Sequence, residues 1–229
     1  DLLRQMKTLP VDTTHIFRRS DRLTPTYTKP LRQNAYGKWT ELNRLDIRTR
    51  GPLAEEVIVQ LCDRISDVFH RTDGLIVMDQ TPEQDWGVIS NRVRATLEQL
   101  SRQDPKKVVL IDSRTQLRRF GFGILKGNRT EILGAANHSA SSPAGTIQQA
   151  AALLARKTGQ PVYCTLGDEG ILLICSDGQT AMVPACPLSE PIDIVGAGDS
   201  VSSGIIASLL SGANEVESAM VGNLVASIT

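Results

Sequence analysis

An α/β fold with a mostly parallel central sheet is predicted by three features of the chain. Short apolar runs at 74–78, 108–111 and 161–166 read as buried strands, segments with apolar residues at helical spacing lie between them, and turn residues mark the joins. Strands that alternate with helices need crossover connections, which put helices on both faces of the sheet.

The elements follow in order. Residues 26–31 and 42–48 alternate with period two around a polar stretch holding Gly37, and are expected to pair as a small sheet. In the second of these, Arg44, Asp46 and Arg48 share one face. Pro52 fits a first helical position, and Leu53, Val57, Leu61, Ile65 and Val68 predict a helix running to about His70. Gly74–Met78 is a buried strand, 84–102 a helix, and Val108–Ile111 a second strand ending at Asp112. A basic stretch, the short apolar piece Gly123–Leu125 and a helical turn over Asn128–Leu133 come next. Ser142-Pro143 opens an alanine-rich helix that Gly159 stops. Pro161–Leu166 is a strand, and 171–175 with 180–183 a hairpin around Ser176-Asp177-Gly178. A glycine turn at 196–198 leads into an apolar helix, and a last helix starts near Asn214.

Composition narrows the function. With 229 residues, 41% hydrophobic and 22% charged, the chain can bury a sizeable core and is neither disordered nor fibrous. No apolar run approaches the roughly 18 residues of a membrane span, so no membrane partner is expected. The first residues carry no signal-peptide pattern and no initiator methionine, and the natural start is expected to lie upstream. Cys62, Cys164, Cys175 and Cys186 form no Cys-x-x-Cys pair, which favours reduced thiols and a cytoplasmic location over a zinc cage. Residues 1–50 hold 11 Lys/Arg against 5 Asp/Glu, yet none follows Lys157. That interrupted charge argues against nucleic acid as a partner.

Motifs exclude further classes. There is no Gly-x-x-x-x-Gly-Lys-Ser/Thr, no His-Glu-x-x-His and no Gly-x-Ser-x-Gly; Gly121-x-Gly123 and Gly196-x-Gly198 both fail the dinucleotide fingerprint; and His15, His70 and His138 lack ligand spacing. What remains is Asp193-Ile-Val-Gly-Ala-Gly-Asp-Ser200 opening an apolar helix. Small residues let backbone N–H groups approach an anion, and the helix start adds unpaired donors and about half a positive charge. Such a cradle for phosphate requires no lysine, and Asp199 in the same turn is placed to take or orient the proton of an attacking hydroxyl. A tight turn with a carboxylate at a helix start would look the same.

The Asp193–Ser200 string resembles the signature of the ribokinase-like, PfkB-type sugar kinases, commonly Asp-Thr-x-Gly-Ala-Gly-Asp, with Ile194 in place of the threonine. Asn128-Arg-Thr-Glu131 resembles that family's Asn-x-x-Glu, and Thr165-Leu-Gly-Asp-Glu-Gly170 its turn beside the nucleotide phosphates. Thr26-Tyr-Thr-Lys29 and Arg44-Leu-Asp46 are similar to lid-strand strings of heptose-7-phosphate kinases, whereas Asp112-Ser-Arg114 and Asp79-Gln80 depart from their Asp-Pro-Lys and Asp-Tyr-Gly-Lys.

The resemblance implies a three-layer ribokinase-like sandwich with a small β lid: residues 1–50 carry lid strands and 51–229 the kinase core. It implies an ATP- and Mg²⁺-dependent sugar or sugar-phosphate kinase with Asp199 as base and Gly196, Ala197 and Gly198 as anion hole. Asn128 and Glu131 would organise Mg²⁺ and phosphate, and Thr165 and Gly167 would line the nucleotide. Asn128 and Glu131 fit a helix capping box equally well. Lys29, Arg32, Arg44 and Arg48 would neutralise a phosphorylated acceptor, or form a solvated face, or a homodimer contact through the lid strands. The family's opening strand with its Gly-Gly-x-x-Asn segment would precede Asp1, and its adenine loop would follow Thr229, so an internal portion of a kinase is expected. A ribose or nucleoside kinase and a non-catalytic binding protein of the same fold are the rival readings.

Overall fold

A computed structural model describes residues 2–137, 144–187 and 195–228. The chain divides into two compact units, Asp1–Pro52 and Leu53–Thr229.

In the first unit a short helix, α1 (Leu2–Met6), precedes four three-residue strands, β1 (Thr26–Thr28), β2 (Leu31–Gln33), β3 (Trp39–Glu41) and β4 (Leu45–Ile47). β1 pairs antiparallel with β4, and β2 with β3. The expected pairing of 26–31 with 42–48 is found, shortened to β1 and β4, and the stretch between them adds a second pair, β2 with β3. Pro30 offers no N–H to a ladder and splits the first run. The Asn34 side chain then accepts from the N–H groups of Tyr36 (2.9 Å) and Lys38 (3.0 Å), bending the supposed polar stretch into a hairpin. Every residue of these strands is exposed. Arg44 and Asp46 do share a face: Arg44 Nε is 2.6 Å from Asp46 Oδ1, with its guanidinium 5.0 Å from the Tyr27 ring centre.

The second unit contains, in order, α2 (Glu55–Arg71), β5 (Gly74–Asp79), α3 (Asn91–Gln103), β6 (Val108–Ser113), β7 (Ile124–Asn128), α4 (Arg129–Ala135), α5 (Ala144–Thr158), β8 (Val162–Thr165), β9 (Ile171–Ile174), β10 (Thr180–Val183), α6 (Ala197–Leu210) and α7 (Glu215–Ala226). The sheet runs β10-β9-β8-β7-β6-β5. β5 to β8 are parallel; β9 is antiparallel to β8 and to β10. Side chains that alternate along the strands feed two cores. Val109, Ile111, Leu125 and Cys164 pack with residues of α2 to α5, whereas Leu110, Ile124, Tyr163 and Leu173 pack with residues of α6 and α7. The sheet is covered on both faces, and the architecture is the expected α/β sandwich. α6 and α7 meet backbone to backbone, since a Cβ on Gly204 would lie 3.0 Å from the Gly222 Cα.

Three expectations shift. The helix expected over 84–102 starts at Asn91, because Asp85 takes a left-handed φ of 62° and accepts from the Asn91 N–H (2.6 Å), while Ser90 caps Val93. The helix expected from Pro52 starts at Glu55, with Ala54 as its N-cap. The piece Gly123–Leu125 is the beginning of β7, a central strand with a parallel neighbour on each side. The helix start at Ser142-Pro143 lies outside the described residues, as do His138, Asp193 and Ile194.

Candidate active site

The carboxyl ends of β6, β7 and β8 and the amino end of α6 carry the candidate residues. Gly196 is the N-cap of α6 in a left-handed conformation, φ 88°, which an L side chain adopts only with strain. Ala197 and Gly198 form the first helical positions and Asp199 the third, where a carboxylate complements the helix dipole. A Cβ on Gly198 would lie 3.2 Å from Lys126 Nζ, so the absence of a side chain there keeps the helix start and an ammonium group close. Lys126 Nζ is 2.7 Å from Asp112 Oδ2 in a pair whose side chains are 5% and 8% exposed. The Ser202 hydroxyl donates to the Gly198 carbonyl (3.1 Å) and lies 3.5 Å from the same Asp112 oxygen.

Lys126 is the residue that sequence reasoning missed. No Lys or Arg follows Lys157 in the sequence, so none is near Gly198 along the chain, whereas Lys126 arrives from β7 in space. A signal existed: a lysine closing an apolar strand, two residues before Asn128.

At the end of β7 Asn128 and Glu131 form the capping box of α4. Asn128 Oδ1 accepts from the Glu131 N–H (3.0 Å), and Glu131 Oε2 accepts from the Asn128 N–H (2.7 Å). The capping reading of this pair is therefore realised. Burial raises the Glu131 carboxyl pKa; the bond from Asn128 and the charges of Lys126 and Arg114 act the other way, and Asp112 adds to the rise. Cap strength can be checked directly. Asn128→Ala should cost about 1 kcal/mol of stability, and Asn128→Ser only a few tenths of that, in urea unfolding.

Asn128 faces Thr165 across the parallel ladder, which brings the two predicted nucleotide segments side by side. The Thr165 hydroxyl lies 3.5 Å from the Gly127 carbonyl oxygen. Gly167, at φ 68°, opens a short turn, and Arg129 Nη2 reaches Glu169 Oε1 in that turn at 2.8 Å. Lys29 and Arg44 belong to the first unit, where their partners are Glu41 (3.4 Å) and Asp46. No group of three or more His, Cys, Asp or Glu poised for a metal occurs among the described residues. An amide and a carboxylate are donor types that suit a cation keeping most of its water, such as Mg²⁺; here one oxygen of each is engaged in the cap. Also among the described residues, no helix is long and apolar enough to cross a membrane.

The chain is similar to several known proteins. The Bifunctional protein HldE of Geotalea uraniireducens is 28% identical over 219 residues, 95% of this chain and 43% of its own length. That of Paramagnetospirillum magneticum is 27% identical over 189 residues, 82% of this chain and 38% of its own. The chain spans under half the length of these curated relatives. Among solved structures, phosphofructokinase-2 from Escherichia coli superposes with a TM-score of 0.62 at 21% identity, over 84% of this chain and 61% of its own. Ribokinase of Arabidopsis thaliana, complexed with ribose and ATP, gives 0.60 at 15% identity, over 90% and 63%. These likenesses show the ribokinase fold. The family model "pfkB family carbohydrate kinase" matches residues 97–229, more than half of the chain, and spans Asp112, Lys126, the Asn128 cap and the start of α6. The chain accordingly belongs to the pfkB family of carbohydrate kinases.

Proposed function

We propose that this chain transfers the γ-phosphoryl group of ATP to a hydroxyl of a sugar or sugar phosphate, with a heptose-7-phosphate-like acceptor favoured. The observation that carries this reading is the small-residue start of α6, where Gly198 packs close to the buried Lys126 ammonium and Asp199 stands in the same helical turn. Backbone donors and one fixed cation stabilise charge spread over a transferring phosphoryl group without moving to meet it. The acceptor oxygen bonds to the γ-phosphorus as the bond to the β–γ bridging oxygen breaks, ADP leaves, and the acceptor proton passes to the Asp199 carboxylate. Asn128 and Glu131 would hold Mg²⁺, which would neutralise charge on the phosphates. Thr165 and Gly167 line the nucleotide.

The acceptor class draws on the HldE relatives and on the basic strands. Lys29 and Arg44, with Arg32 and Arg48, neutralise the acceptor's phosphate, and the exposed strands of the first unit offer a contact for a homodimer. The four cysteines are free, in keeping with a reducing, cytoplasmic setting. ADP release with Mg²⁺-ATP, measured against heptoses, hexoses, pentoses and their phosphates, tests the proposal. Acceptor-dependent turnover is expected, greatest with a phosphorylated heptose. ATP binding without turnover on any acceptor would favour a nucleotide-binding protein of the same fold. Arg44→Ala should raise KM for phosphorylated acceptors about tenfold and leave unphosphorylated ones unchanged, a contrast expected of one lost charge-assisted contact. An equal rise for both would remove Arg44 from the phosphate site. Asn128→Ser, expected to keep its stability, should weaken Mg²⁺-nucleotide binding if the amide serves the cation as well as the cap.

A further inference from the structure

A buried ion pair is weak support for a fold, because two charges taken out of water regain from each other roughly what they lose in solvation. The Lys126–Asp112 pair is placed for something more specific. The two residues are in register on adjacent parallel strands, so the bond spans one ladder step at the carboxyl edge of the sheet. The ammonium group abuts Gly198, at the start of α6. The same Asp112 oxygen is approached from α6 by Ser202, one turn beyond Gly198 and bonded to its carbonyl. Among the described residues Lys126 has no second partner.

We propose that Asp112 is a positioning residue. It fixes the Lys126 ammonium beneath the amino end of α6, Ser202 steadies its carboxylate from the helix side, and the anion cradle is charged and ordered before a phosphate arrives. This rests on the reading of Gly196–Gly198 and Lys126 as a phosphate site. Without Asp112, an unpaired ammonium at that depth is too costly to keep, and the flexible lysine stem carries it toward water. Ordering the side chain would then fall to the binding step, which weakens affinity.

A double-mutant cycle read by calorimetric titration of Mg²⁺-ATP tests the assignment without relying on turnover. Lys126→Met should weaken ATP binding about tenfold and Asp112→Asn about five- to tenfold, while the double variant binds no more weakly than Lys126→Met alone. Should Asp112→Asn not fold, Ser202→Ala decides by the same comparison, with a loss of about two- to threefold that vanishes in the Lys126→Met background. Equal losses in both backgrounds would mean a merely structural role and overturn the proposal. So would unchanged affinity in Asp112→Asn when Lys126→Met binds weakly. Unchanged affinity in Lys126→Met would instead overturn the phosphate-site reading on which it rests.

Discussion

Asp199→Asn is expected to lower kcat by about 10²- to 10⁴-fold while Mg²⁺-ATP binds almost as tightly as to the parent. The asparagine keeps the size and the hydrogen-bonding reach of the side chain but cannot accept a proton. Asp199 stands at the third position of α6 and is exposed, so no packing is lost. Only its favourable interaction with the helix dipole goes, worth about 0.3–1 kcal/mol. Affinity and stability are thereby separated from the proton-transfer role. In a loose transition state the hydroxyl loses its proton late, and the carboxylate that accepts its hydrogen bond is in place to take that proton as it is released. Single-turnover ADP release with the best acceptor, beside a titration of ATP, makes the measurement. Turnover near that of the parent would remove Asp199 from the chemistry.

The second large effect concerns folding. Gly170→Ala should destabilise the protein by about 3 kcal/mol or more. Gly170 joins the turn after β8 to β9 with φ 99° and ψ −135°, a region that L residues essentially do not enter. A Cβ there would fall 2.1 Å from the Val183 carbonyl oxygen and 2.6 Å from the Ala185 nitrogen, both backbone atoms that a side-chain rotation cannot move away. The Gly170 carbonyl also accepts from the Leu166 N–H (2.8 Å), which closes the turn. Gly167→Ala is the control: φ is positive there as well, at 68°, but nothing lies within 4 Å of the added carbon. Its cost should be about 1–2 kcal/mol, the strain of a left-handed L residue alone. Urea midpoints that fall equally for the two variants would show that strain, rather than the collision with the chain after β10, dominates at Gly170.

Much of the architecture could be read from the chain because period and punctuation agree there. β5, β6 and β8 are runs of apolar residues between turn signals, and α5 ends at Gly159, whose N–H bonds the Ala155 carbonyl at 2.8 Å. β7 escaped because Lys126 and Gly127 interrupt its apolar run, which leaves only the short apolar piece Gly123–Leu125 of the strand at the centre of the sheet. The start of α3 escaped for a related reason: Asp85 bonds the backbone six residues on, a tertiary choice that periodicity does not register. In the candidate site, segments contiguous in sequence were visible: Asn128 to Glu131, Thr165 to Gly170 and Gly196 to Asp199. The Asp112–Lys126–Ser202 connection joins three elements, and only the register of β6 on β7 and the seat of α6 bring it together.

The close approach of Gly204 and Gly222 makes α6 and α7 a single lever. With the backbones in near contact at Gly204 and the Val201 and Ile205 side chains closely packed at Gly222, a displacement of α7 is passed on to α6. The end of that lever is the turn at Gly196–Gly198. A methyl group at Gly222 would press on Ile205 and on the Val201 carbonyl, and so tilt the amino end of α6 from a distance. The helix crossing is thus a remote control on the geometry of the Gly196–Gly198 turn.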